Sequence, residues 1–186
     1  MPTDVRTRED EHVVVAGRDP ATGERPLLVT ERGQLVTAGR TVATPWVSVA
    51  GLTPALYASG DAIGVPFTVI VPESGILSTV LLLDLDVQSA ALDLWLFDSQ
   101  PTATADNAAW DMADVDGPKS CGVLEFAATD YNGSADSSLG TLRNQGLLYV
   151  APAGVLWVQV VSRGTPTYVM ATPPGPLSLR FVIAAD

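Results

Sequence analysis

Turn-forming residues set the limits on this fold. The 186-residue chain carries 16 glycines and 14 prolines, spread between short apolar runs. Proline has no amide hydrogen to give to a helix interior or a central strand, and glycine weakens both. A chain punctuated this often reads as short strands joined by turns. No long segment repeats its apolar residues at the helical period. The best helical stretch is Asp106–Met112, where Asp106 can cap a single turn.

Strand signals run from Tyr57 to the last residues. Val65–Val71 is β-branched and aromatic. Gly75–Val87 is a long run whose end, "LLLDLDV", alternates apolar and acidic. Ala91–Phe97 alternates as well, with Leu92, Leu94 and Leu96 on one face and Asp93, Trp95 and Phe97 on the other. Val123–Phe126, Gly146–Val150, Val155–Ser162 and Leu177–Ala184 complete the set. With 47% hydrophobic residues, the chain can bury a core without disulfides or metal. Eight or so strands over about 130 residues fit an all-β, antiparallel sandwich of jelly-roll type.

The first 45 residues read differently. Residues 1–12 are charged and without periodicity, as in a tail. Val13–Val15 is a short apolar element, followed by the turn-rich "GRDPATGERP". Leu27–Thr30 and Gln34–Thr37 flank Arg32-Gly33, which predicts a short hairpin. "TVATPWV" (residues 41–47) reads as a linker, with Trp46 as its anchor. The reading is therefore an extended N-terminal arm over 1–45 and a β-sandwich over 46–186. Charge separates them further. Residues 1–46 hold six basic and seven acidic side chains, whereas 47–186 hold four and fourteen. The arm is near neutral and the body strongly acidic.

That balance argues against nucleic-acid binding, because the acidic body repels phosphate backbones. The opening residues are too polar for a secretory signal, and the most apolar run is too short and too acidic to span a bilayer. A soluble protein made in a reducing cytoplasm is expected. Its one cysteine, Cys121, has no disulfide partner and no zinc-site spacing, and it reads as a small buried hydrophobe.

Catalytic chemistry finds little to work with. The single histidine, His12, lies in the tail, far from any rigid triad. Asp84, Asp86, Asp93 and Asp98 lie on two predicted strands and invite a two-carboxylate hydrolase, although acids alternating with leucines are also the wet face of a half-buried strand. "DMADVDG" (residues 111–117) is acid-rich, but Asp111, Asp114 and Asp116 lack calcium-loop spacing. It reads as an acidic turn, with an irregular cation site as the alternative. Asn132–Ser134 matches a glycosylation triplet. Phosphate loops and dinucleotide fingerprints are missing, so no cofactor is expected. Trp95, Trp110, Trp157 and Tyr131 are candidates for a sugar platform. Trp95 and Trp157 sit among apolar strand neighbours, which favours the core or a subunit interface, and Trp110 is the ring expected to be exposed.

Three passages carry a family resemblance: "VVVAGRDPATGERPLLVTERGQLVT", "DLWLFDSQPTATADNAAWDMADVD" and "LWVQVVSRGTPTYV". Together they resemble segments of small virion structural proteins of tailed bacteriophages, of the head-decoration or head-fibre kind. The resemblance covers most of the chain and implies a non-enzymatic assembly role in the virion. It also implies a jelly-roll body, a homotrimer, and an N-terminal segment that contacts the major capsid protein or another virion protein. The candidate assembly contacts are Val13, Val15, Arg18, Arg25, Leu27, Val29, Arg32 and Arg40. Their arginines suit carboxylate partners. The competing reading is a carbohydrate-binding module of a phage tail or fibre, directed at a surface glycan.

Overall fold

Side chains alternate across a strand at period two, so each strand's pattern decides which face it buries. The computed structural model describes residues 40–169 and 175–185, together with the backbone of residues 12–19, 23–30 and 35–36. The chain divides into two compact units, with the boundary between Arg40 and Thr41.

The first unit is an antiparallel sheet of β1 (His12–Asp19), β2 (Gly23–Thr30) and β3 (Leu35–Val36), in that order. The pairing of β2 with β3 matches Leu28 to Val36 and Val29 to Leu35, which is the expected hairpin. The "GRDPATGERP" segment departs from expectation. β1 continues through Asp19 and β2 begins at Gly23, pairing Gly17 with Arg25 and Arg18 with Glu24.

The second unit is nearly all antiparallel β. Its strands are β4 (Arg40–Ala43), β5 (Val47–Ser48), β6 (Ala55–Leu56), β7 (Ala62–Ile70), β8 (Ser74–Asp84) and β9 (Leu92–Phe97). Then come β10 (Ser120–Phe126), β11 (Tyr131–Gly133), β12 (Ser138–Val150), β13 (Val155–Ser162), β14 (Thr167–Tyr168) and β15 (Leu177–Ala185). One sheet has the order β10-β9-β13-β7. The other runs β11-β12-β8-β15-β4, with β5 also on β15, and β14 pairs with β6 in a small ladder. Leu92, Leu94 and Leu96 of β9 and Val158 and Val160 of β13 face Val80 and Leu82 of β8 and Leu179 and Phe181 of β15 in one core.

Two local expectations are corrected. Residues 106–112 are not helical. The Asp106 carboxylate accepts amides from distant loops instead of capping its own turn, and short 3-10 turns lie later, at Asp114–Lys119 and Ala128–Asp130. The predicted linker begins as a strand: β4 joins the larger sheet. Trp46 remains 41% exposed. The entry is held by Thr44, whose N–H donates to Phe181 O at 2.9 Å and whose Oγ1 accepts Phe181 N–H at 3.0 Å.

β7 shows how the sequence breaks its own ladder. Val158 faces Phe67 and Val160 faces Ile63, so Gly64, Val65 and Pro66 bulge opposite the single residue Gln159. Pro66 has no N–H to lose. The two amides expelled from the ladder find other acceptors: Gly64 N–H donates to Asp106 Oδ1 at 2.6 Å and Val65 N–H to Ala50 O at 2.8 Å. The buried Gln159 amide donates to Val160 O at 2.7 Å. The backbone donors of the bulge are all accounted for.

Candidate functional site: carboxylates that pin the loops

The acidic residues singled out as a possible catalytic group turn out to be separated. Asp84 ends β8 in the larger sheet, whereas Asp93 lies on β9 in the smaller one. Asp84 shares the inward face with Val80 and Leu82 and is fully buried, so the solvated-face reading fails for it. Asp93 lies on the outer face of the smaller sheet, as alternation predicts, but is covered there by Arg163.

Asp84 is held at the turn between β8 and β9. It accepts Asp86 N–H at 3.0 Å and Ser89 N–H at 2.8 Å. Val87 and Ser89 adopt positive φ there (54° and 46°), which a β-branched valine rarely does. The two accepted amides hold that conformation in place. Burial raises the Asp84 pKa above the usual carboxylate range, against the lowering effect of the accepted backbone N–H groups.

Asp106 gathers four donors. Thr53 N–H (3.0 Å), Thr53 Oγ1, Tyr57 OH (2.8 Å) and Gly64 N–H (2.6 Å) all reach its two oxygens. It thereby ties the 51–57 loop and the β7 bulge to the β9–β10 connection. Burial, with the neighbouring carboxylate, raises the Tyr57 hydroxyl pKa, so that hydroxyl remains a donor.

Other aspartates repeat the pattern. Asp61 accepts Ala58 N–H, Asp130 accepts Ala127 N–H, and Asp86 accepts Val169 N–H. Asp116, from the acidic turn, points inward to accept Thr102 N–H at 2.8 Å and the Lys119 ammonium at 2.8 Å. Those contacts, Lys119 first, hold its carboxyl below the usual range. Asp93 accepts the Arg163 guanidinium at 2.6 Å. Among the described residues, no three His, Cys, Asp or Glu side chains gather closely enough to hold a metal ion. Cys121 is part-buried against the core, and burial, aided by Asp98, pushes its thiol up to about 11. It is a poor nucleophile at neutral pH.

Three of the aromatic candidates, Trp95, Trp110 and Tyr131, do not form a flat platform. Tyr131 packs on Phe126 with centroids 6.0 Å apart and planes at 47°, and its hydroxyl donates to Ala90 O at 2.8 Å. Trp110, expected to be exposed, is half-buried and lies 6.0 Å from Trp95 with planes at 55°.

Of the assembly candidates, four pair with one another across the strands of the first unit: Val13 with Val29 and Val15 with Leu27. Arg18 sits on β1 and Arg25 on β2. Arg32 lies outside the described residues. Arg40 opens β4 and is exposed. The sequence reading missed Arg163 and Gly64, and took Asp106 for a helix cap. The signals present were an aspartate amid "TATADNAAW", an arginine just after a strand, and a glycine next to a strand proline.

No family model matches the chain, and neither does any curated protein or solved structure. Among the described residues, no helix is long and apolar enough to cross a membrane.

Proposed function

We propose that this chain is a non-enzymatic structural protein of a tailed-bacteriophage virion, decorating or stabilising the head through its N-terminal segment. The supporting observation is how the carboxylates of the body are employed. Asp84, Asp86, Asp93, Asp106 and Asp116, the groups a hydrolase or cation site would draw on, accept backbone amides, a guanidinium or an ammonium. Such a body is built to hold its loops in place. The resemblance of the three sequence passages supplies the virion context.

On this reading the body is of jelly-roll type. The chain crosses between the two sheets from β7 to β8, β8 to β9, β10 to β11 and β12 to β13, returns from β13 to β15 by way of β14, and stays within one sheet from β9 to β10 and from β11 to β12. The sheet of β1 to β3 is the attachment element, with Val13, Val15, Leu27 and Val29 as its apolar contacts. Its partner is the major capsid protein or another virion protein, and the body associates as a homotrimer. The protein acts on the virion after synthesis in the host cytoplasm.

Deletion of residues 1–39, which leaves β4 and Thr44 in the larger sheet, tests the attachment role. The truncated chain is expected to stay folded by circular dichroism and to lose binding to particles in a co-sedimentation assay. Unchanged binding of the folded truncation would rule the arm out.

A further inference from the structure

The body's charges are sorted between its two outer faces. On the larger sheet, strands β4, β5, β8, β11, β12 and β15 contain one acidic residue, Asp84, and it is buried and points inward. The outward rows are apolar, hydroxylated or basic. Arg143 aligns with Thr79 and Val182, and Thr141 with Leu81 and Arg180, so the two arginines share one face. Beside them lie Ile76 (44% exposed) and Leu148 (69%), with Val150 (59%) one step further along β12. The ion pairs among the described residues are Lys119–Asp116 and Arg163–Asp93, which leaves Arg143 and Arg180 without one.

The opposite face has the complementary make-up. Trp95 points away from the core of the smaller sheet, and Trp110 packs on it, so the β9–β10 connection runs over that outer face. This connection presents exposed Asp111 and Asp114 beside Val115, which is 71% exposed. Glu125, opposite Asp93 on the same face, is exposed too.

We infer that these two faces are the two halves of one head-to-tail contact between copies of this chain. The arginine-bearing face of the larger sheet in one copy seats on the Asp111–Val115 segment of the next. Charge selects this arrangement. A chain of net charge −11 repels its own copies on its acidic surfaces, so self-contact needs the carboxylate-free face. Two such faces brought together would oppose arginine to arginine, whereas head-to-tail apposition places arginine against aspartate and Val115 against the apolar rows. Head-to-tail contacts close into rings when the rotation permits and otherwise propagate. The inference does not depend on the virion reading, since it concerns the isolated chain.

The test is sedimentation of the full chain, with charge reversals. The wild type is expected to exceed its monomer mass of 19.4 kDa at high concentration and to dissociate as salt screens the contact. Arg143→Glu with Arg180→Glu, or Asp111→Arg with Asp114→Arg, is expected to weaken association by about tenfold or more. All four reversals in one chain are expected to restore it, a rescue that a folding defect would not show. A wild type that is monomeric throughout, reversals without effect, or no rescue in a four-fold variant of native circular dichroism would each overturn the contact.

Discussion

Asp106 and Asp84 solve the same problem in different loops of the body. Each stands where a loop would otherwise leave amide hydrogens without acceptors, and each supplies two oxygens. Asp106 takes two backbone amides and two hydroxyls. Replacing it by alanine strands these donors, and Asp106→Ala is expected to cost about 2–4 kcal/mol, measurable by urea unfolding. A loss within error would mean that water replaces the carboxylate without penalty. Asp84 is dominated by burial, which raises its pKa in the folded state. A group raised in this way contributes its stability fully below the unfolded value, near 4, and loses it as pH rises through the folded value. An asparagine side chain at this position cannot ionise. The stability of Asp84→Asn relative to wild type should therefore improve from pH 4 to pH 7. A relative stability that falls over that range would assign the shift to the accepted hydrogen bonds instead of burial. Asp116 has the opposite sign, since its lowered pKa gives stability that is lost as pH falls.

At the scale of the element, the β7 bulge is tightly constrained. Gly64 has φ +68°, and a Cβ there would lie 2.3 Å from Ala50 O, a backbone atom that cannot swing away. Gly64→Ala is expected to destabilise by roughly 3–4 kcal/mol. Gly60 also has positive φ, but nothing lies within 4 Å of its Cβ position. Gly60→Ala should cost only about 1 kcal/mol, from backbone conformation alone. Equal losses in paired thermal melts would remove the steric explanation. The same strands show what could be read beforehand. β9 and β13 were legible because their apolar residues are consecutive or strictly alternating. The first half of β12, Ser138–Gln145, was not, because its inward positions are Ser138, Gly140 and Leu142. Gly140 is small for a reason invisible in one dimension: the Phe126 and Tyr131 rings come within 3.1 Å of where its Cβ would be. The loop-pinning role of Asp106 was equally hidden, since its partners Thr53 and Gly64 are brought to it only by the fold.

At the scale of the whole molecule, the sequence separates a near-neutral first segment from an acidic body, and the structure divides the chain at Arg40 and Thr41. An acidic body carried outward keeps particles apart in solution, while a near-neutral segment approaches a protein surface without repulsion. This division of labour is the centre of the account. Cryo-electron microscopy of the intact virion tests it most directly. The account predicts density for the sandwich on the outer surface of the head, with residues 1–40 against the capsid protein. A purified virion that lacks this chain, or one in which the sandwich contacts the capsid while the N-terminal segment projects outward, would contradict it.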